Sequence, residues 1–421
     1  MLTVDEALQL ILETVVPAPV SSLPLSDALG AVLAEEVISS VDSPPFDKSM
    51  MDGFAVRSAD CPKGEKTLSI IGEVMAGSVS DKPLQPGTAI RIMTGAPIPD
   101  GADAVVPVEL TETAEDSASV TLRMPGSLST EWNVIRRGSL MAKGEAILQP
   151  GRPLTAQQLA LLGEIGKSTV AVRKVPTVAV LATGDELVEI DETPGPGQIR
   201  NTNALMLAAQ VQEAGARPRV LGIARDDRED LAAKIREGLQ ADVLCLSGGV
   251  SAGVLDLVPS ELAKADVRQV FHKIRMKPGK PLWFGIRDGA GERPPCYVFG
   301  LPGNPVSSMV CFELFVRSAL RRLQGMTVAG PGLVQARLAS DFSHRSDRPT
   351  WFPCRLSRQQ ECLLATPMNW KGSSDLRATA LANASLAIPE GEHQFEAGTV
   401  LEVLPWGRTM GQIDSPATTG T

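Results

Sequence analysis

From Val175 to Met326 apolar runs of strand length alternate with segments of helical periodicity, and this alternation limits the fold more than any other feature. "VPTVAVLATGDE" reads as a buried strand and turn, residues 203–214 as a helix, "PRVLGIARDD" as a strand, residues 231–239 as a helix and "DVLCLSGG" as a third strand. A helix over residues 254–263, the strands "PLWFGI" and "CYVFGLPGNP" and a long helix over 306–323 follow. Strands alternating with helices predict a mostly parallel, doubly wound sheet covered on both faces.

The flanks read differently. Between Ser43 and Gln149 short β-like runs such as "TLSIIGEV" and "DAVVPVE" are punctuated by Pro, Gly and Asp, which predicts a small β domain over 43–149. Helical segments on either side of it suggest one discontinuous helical domain made of 1–42 and 150–174. Thr3 and Glu6 stand at capping-box spacing at the start of the first helix, so the opening residues read as a folded helix. After the α/β region, 175–328, the strands "LVQARL", "WFPCRL" and "TVLEVLP" predict a C-terminal β domain over 329–408, and small polar residues predict a disordered tail over 409–421.

With 421 residues and 43% hydrophobic content, several domains are expected. A formal charge of -9 argues against a general nucleic-acid binder, so any anion site must be local. The absence of a long apolar window argues against a membrane span. Six scattered cysteines without a CxxC pair argue against zinc and favour reduced thiols in the cytosol.

In a doubly wound sheet, ligands gather beyond the carboxyl ends of the strands. There the sequence places Thr183-Gly184-Asp185-Glu186, Asp226-Asp227 and Ser247-Gly248-Gly249 with Asp256, followed by a loop carrying Lys273, Arg275, Lys277 and Lys280. Carboxylates from separate strand ends suit Mg²⁺ bridged to phosphate, and lysines supply charge for an anion. The Gly-Gly turn fits neither common nucleotide signature, yet it would let backbone N–H groups approach a phosphate. Asp185 and Asp227 equally suit helix N-caps, and the glycines equally suit a simple strand-to-helix turn. Asp52-Gly53 reads locally as a hairpin with a core methionine, and Thr94-Gly95 as a plain loop.

Six ordered motifs closely resemble the MoeA family, related to the E domain of gephyrin. They are "SMMDGFA" from Ser49, "MTGAP" from Met93, "TGDEL" from Thr183, "SGGVSAG" from Ser247 with Asp256, "KPGKP" from Lys277 and "LPGNP" from Leu301. The resemblance implies a multidomain α/β and β protein. It would have a central doubly wound α/β (MogA/MoaB-like) domain, a small β domain, a discontinuous elongated helical domain and a C-terminal β-barrel-like domain. It implies a molybdopterin molybdenumtransferase that inserts molybdate into adenylylated molybdopterin and releases AMP. It also implies a cytoplasmic homodimer, with Asp52 and Thr94 facing the strand-end cluster across the dimer interface. Partners would include molybdopterin adenylyltransferase and proteins of molybdoenzyme maturation, with no nucleic acid and no membrane.

Carried over by motif, Asp185, Glu186, Asp227 and Asp256 would form the acidic group associated with Mg²⁺. Lys273, Lys277 and Lys280 would neutralise phosphate or molybdate, and Ser247, Gly248, Gly249 and Ser251 would hold phosphate or pterin beside Pro302 and Pro305. One departure stands out: after "NVIRRG" the family commonly has Glu-Asp, whereas this chain has Ser139-Leu140. That motivates a rival reading as a non-catalytic, gephyrin-type carrier or scaffold. A second rival, a nucleotide pyrophosphatase of the competence-damage family, leaves the two β domains unexplained.

Overall fold

The computed structural model describes residues 1–116, 118–249, 257–291, 294–359 and 362–407. Ser251, Asp256 and the tail 409–421 lie outside the described residues. The chain divides into two compact units: Met1–Ala34, Pro150–Leu159 and Thr169–Thr421 form one, Glu35–Gln149 and Ala160–Ser168 the other.

The first unit is organised by a six-stranded sheet of β1 (Thr177–Thr183), β2 (Arg217–Ala224), β3 (Val243–Ser247), β4 (Val267–His272), β5 (Trp283–Arg287) and β6 (Cys296–Leu301). Its order is β2-β1-β3-β6-β5-β4; the first four strands run parallel, and β5 and β4 add an antiparallel edge. Alternate residues of the central strands serve two cores, which is why these strands read as unbroken apolar runs. Val178, Val180, Val243, Cys245 and Phe299 pack on one face with Leu207 and Val211 of α2 (Thr202–Glu213). Ala179, Leu181, Leu244, Leu246 and Val298 pack on the other with Leu231 and Ile235 of α3 (Arg228–Gly238) and Val258 and Leu262 of α4 (Val258–Lys264).

The chain enters α1 (Val4–Thr14) through the capping box read from the sequence: Thr3 N donates to Glu6 Oε2 at 2.8 Å and Glu6 N to Thr3 Oγ1 at 3.2 Å. Although it lies in the segment read as helical domain, α1 buries Ala7, Ile11 and Val15 in the first of these α/β cores. The flanking segments meet through strands, Val20–Pro24 pairing antiparallel with Thr169–Arg173. After β6 the chain runs through helical segments Pro305–Cys311, Phe312–Val316 and Arg317–Leu323, the middle one a π-helix.

Strands β7 (Val334–Leu338), β9 (Thr350–Gln359), β10 (Cys362–Pro367), β11 (Ala384–Ile388) and β13 (Val400–Pro405) close a barrel. Strands β8 (Phe342–Ser346) and β12 (Gly391–Phe395) form a separate antiparallel pair that places His344 opposite His393. The Lys277 backbone stitches the loop after β4 to the start of β9, donating to Pro349 O at 2.8 Å and accepting from Trp351 N at 2.7 Å.

The second unit holds a six-stranded sheet whose strand Gly53–Val56 lies between Thr88–Ile92 and Ala104–Pro107. Only glycine fits at Gly53, because a Cβ there would stand 2.0 Å from Val106 O on the neighbouring strand. All six cysteines are free thiols, and Cys245 and Cys311 are buried as the apolar runs predict. No helix among the described residues is long and apolar enough to cross a membrane.

Candidate functional site

Strand β1 leads to α2 and then β2 on one side, while β3 lies on its other side, so the crevice between the ends of β1 and β3 is a topological switch point. A cavity of about 1000 Å³ opens there. It is lined by Thr183 at the end of β1 and Glu186 just after it, Asp226 after β2, Ser247 at the end of β3 with Gly248 and Gly249 after it, and Pro302 to Pro305 after β6. Of the residues expected here, Glu186, Ser247, Gly248, Gly249, Pro302 and Pro305 therefore come together.

Two acidic expectations resolve differently. Asp227 does not line the cavity: its Oδ1 caps α3, accepting from Glu229 N at 2.9 Å and Asp230 N at 3.0 Å. The neighbouring Asp226 lines it instead. Asp185 Oδ1 accepts from Asp226 N at 3.2 Å and thereby ties the two strand ends together. Among the described residues no three His, Cys, Asp or Glu side chains stand close enough to hold a metal ion by themselves. Two exposed carboxylates, Glu186 and Asp226, remain on the cavity wall, a donor set suited to a cation that shares its coordination with phosphate oxygens.

The glycine turn works through close packing. Gly248 and Gly249 have φ of 96° and 63°, and added Cβ atoms would stand 2.8 Å from Thr183 O and 2.6 Å from Val258 Cγ2. The expected cradle needs a correction at Gly248, whose N–H donates to Leu301 O at 3.1 Å and is spent on joining β3 to β6. What the turn does is press against Thr183, whose buried Oγ1 has no hydrogen-bond partner among the described residues.

Asn203, which sequence reasoning placed only in a helix, fastens the cavity floor. Its Nδ2 donates to Ser247 Oγ and to Gly303 O, both at 2.7 Å, and its buried Oδ1 has no partner among the described residues. A buried polar atom without a partner costs about 1–3 kcal/mol, so Thr183 and Asn203 are suited to a ligand's polar groups.

A second cavity, of about 500 Å³, adjoins the first at Pro281, which lines both. Lys277, Lys280, Arg348, Lys371, His344, Ser307 and Ser373 contribute its polar lining, and none of the described residues that line it is acidic. Lys277 and Lys280 were expected at an anion site; Lys273 lines neither cavity. Arg348, Lys371 and His344 come from the C-terminal β region, distant in sequence from the "KPGKP" loop and without a spacing that joins them to it. Gly279 lets this loop turn tightly, with φ of 115° and space for a Cβ only 2.6 Å from Cys311 Sγ. Asn304 ties the two cavities' walls, its Nδ2 donating to Ser373 Oγ at 3.0 Å.

In the second unit, Asp52 and Thr94 are brought together. Thr94 N and Oγ1 donate to Asp52 Oδ1 at 2.7 and 2.8 Å, and the backbone bond, followed by the hydroxyl bond, holds this carboxyl below its usual range. Met50 and Met51 are 49% and 38% exposed, so the core-methionine reading fails. Ser139 and Leu140 are both exposed.

Comparison with known proteins agrees with this architecture. Residues 2–166 match the model of the MoeA N-terminal region (domain I and II), 179–322 a probable molybdopterin binding domain and 335–406 the MoeA C-terminal region (domain IV). The chain is 34% identical over 406 residues to the molybdopterin molybdenumtransferase of Bacillus subtilis, covering 95% of this chain and 93% of that protein. It is 33% identical over 408 residues to that of Staphylococcus epidermidis, covering 96% and 95%. A solved MoeA protein of molybdopterin biosynthesis from Pyrococcus horikosii superposes with a TM-score of 0.80 at 32% identity, covering 96% of this chain and 99% of that one. Matches to all three regions, together with whole-length relatives, establish that the chain belongs to the MoeA family, the family of molybdopterin molybdenumtransferases.

Proposed function

We propose that the chain inserts molybdate into adenylylated molybdopterin and releases AMP. The observation that carries this reading is the adjacency of two unlike cavities: a compact cationic one matched to an oxyanion, and a larger one with an acidic edge and unpartnered polar atoms. The task requires two anions to be held side by side, and a lone nucleotide site would not need the second cavity.

In this reading Lys277, Lys280, Arg348 and Lys371 hold molybdate, with Ser307 and Ser373 as hydroxyl donors. Thr183 Oγ1 and Asn203 Oδ1 meet polar groups of the pterin nucleotide, whose body lies against Pro302 and Pro305. As two Mo–S bonds form, one oxo group leaves as water with the two dithiol protons. A second water cleaves the phosphoanhydride, giving AMP and the terminal phosphate of the cofactor. Mg²⁺, held by Glu186 and Asp226 together with substrate phosphates, would neutralise charge on the leaving phosphate. The fixed cations act by pre-organisation, since they are already oriented before charge develops.

We also read the chain as a homodimer in which the Asp52–Thr94 pair of one protomer serves the cleft of its partner. The pair is exposed, its carboxylate is held ionised by two hydrogen bonds, and exposed Met50 and Met51 stand beside it in sequence.

The decisive experiment incubates the pure protein with adenylylated molybdopterin, Mg²⁺ and a molybdate series, and measures AMP and metal-loaded cofactor together. Both products are expected in equal amounts. Binding of the nucleotide without AMP release at any molybdate concentration refutes the transferase and favours the carrier.

A further inference from the structure

The cationic cavity contains one titratable group whose charge is not fixed at neutral pH. His344 lies on β8 and lines the cavity beside Lys277, Arg348 and Lys371. Its ring stacks on Phe342, with centroids 6.1 Å apart, and meets Phe352 edge-on at 5.5 Å, so it is held in place by packing. Nε2 stands 3.1 Å from Thr350 Oγ1, and that hydroxyl also lies 3.2 Å from Arg348 O, to which it can donate. When the hydroxyl donates to Arg348 O, Nε2 is the donor and Nδ1 is left to take a second proton; when it donates to Nε2, Nδ1 carries the proton, so either neutral tautomer keeps one ring nitrogen able to be protonated.

The surroundings oppose that second proton while no anion is bound. Burial, then the charge of Lys277 and then His393 hold the imidazole below its ordinary value. Lys277 reaches it from the loop after β4, His393 from β12, Arg348 from the turn before β9 and Lys371 from the segment after β10. The described carboxylates on these elements already have partners: Asp347 with Arg348, Glu392 with Arg345, Glu390 with Arg275, Asp341 with the Ala397 N–H, and Asp375 with the Lys371 and Ala378 N–H groups.

We propose that His344 binds the oxyanion as imidazolium, taking one proton from solvent as a tetrahedral dianion enters the cavity. A dianion bound against the ring offsets part of the cationic field and attracts the imidazolium directly, so the Coulomb penalty on the second proton falls. The cavity thus holds its substrate with four permanent charges and a fifth that appears only in the complex. In consequence oxyanion affinity rises as pH falls between the free and bound midpoints of His344, by up to tenfold per pH unit. This inference rests on the reading of the cavity as the molybdate site.

The chain has only three histidines, His272, His344 and His393, so their ring signals can be followed by NMR in the full-length protein. The titration runs between about pH 5 and 8, without anion, with molybdate in the upper half of the range, and with sulfate, which stays dianionic throughout. His344 is expected to titrate below an ordinary histidine without anion and to move up by about one pH unit or more at saturation. Calorimetry in buffers of different ionisation enthalpy should show uptake approaching one proton per anion, and His344→Gln should abolish uptake while anion still binds through the cations.

Anion binding with an unmoved His344 signal, or proton uptake that persists in His344→Gln, overturns the inference and leaves the cavity reading intact. Failure of the wild-type protein to bind either oxyanion overturns both. If His344→Gln does not fold, the wild-type NMR titration decides alone.

Discussion

Asp226 and Asp227 are adjacent, yet the structure gives them separable work. Replacing Asp227 by Ala removes the acceptor of the Glu229 and Asp230 N–H groups at the start of α3. Such a loss costs about 1 kcal/mol, within a range of roughly 0.5–2. Asp227→Asn keeps an amide oxygen in the same place and should cost only the charge–dipole part, about 0.3–1 kcal/mol. Neither change touches the cavity wall. Asp226→Asn removes a wall carboxylate but no cap.

Urea unfolding read by tryptophan fluorescence suits the measurement, since Trp283, Trp351, Trp370 and Trp406 all lie in the unit that contains α3. We expect the stability order wild type, Asp227→Asn, Asp227→Ala. Both Asp227 variants should keep AMP release within about twofold of wild type, whereas Asp226→Asn should lower it by about tenfold or more, a transition-state loss of about 1.4 kcal/mol. Loss of AMP release in Asp227→Asn with unchanged stability would refute the assignment, because a cap preserved by Asn cannot explain it.

Two further outcomes follow from the same geometry. Gly249→Ala should destabilise by about 1–3 kcal/mol and weaken nucleotide binding, because the left-handed backbone and the contact with Val258 both oppose a Cβ; parallel urea melts and binding titrations check this. The Asp52 carboxyl is held below its unfolded value, so its contribution is fully present above the unfolded value and is lost as pH falls through the folded one. Thr94→Val should raise that carboxyl only part of the way, since the Thr94 backbone N–H bond, the larger cause, survives; carbon-detected NMR of the aspartates across the acid range measures it.

The amino-acid sequence alone determined the local and periodic features. Thr3 and Glu6 make their capping box because three residues of spacing suffice to form it. The central strands run fully apolar because helices cover both sheet faces, so their burial is written in composition. The ordered motifs likewise named the family, and they placed Glu186, Ser247, Pro302 and Pro305 at one strand edge before any coordinates. Tertiary structure decided what depends on direction and on distant partners. Adjacent carboxylates at a strand-to-helix junction point different ways, so only the backbone path assigns Asp226 to the cavity and Asp227 to the cap. The N–H of Gly248 was committed to Leu301 by strand pairing some fifty residues away in sequence. Nothing in the spacing announces that His344, Arg348 and Lys371 join the "KPGKP" loop, because contacts between residues distant in sequence, the Lys277 backbone bonds to Pro349 and Trp351 and the Arg275–Glu390 ion pair, bring the C-terminal β region to it.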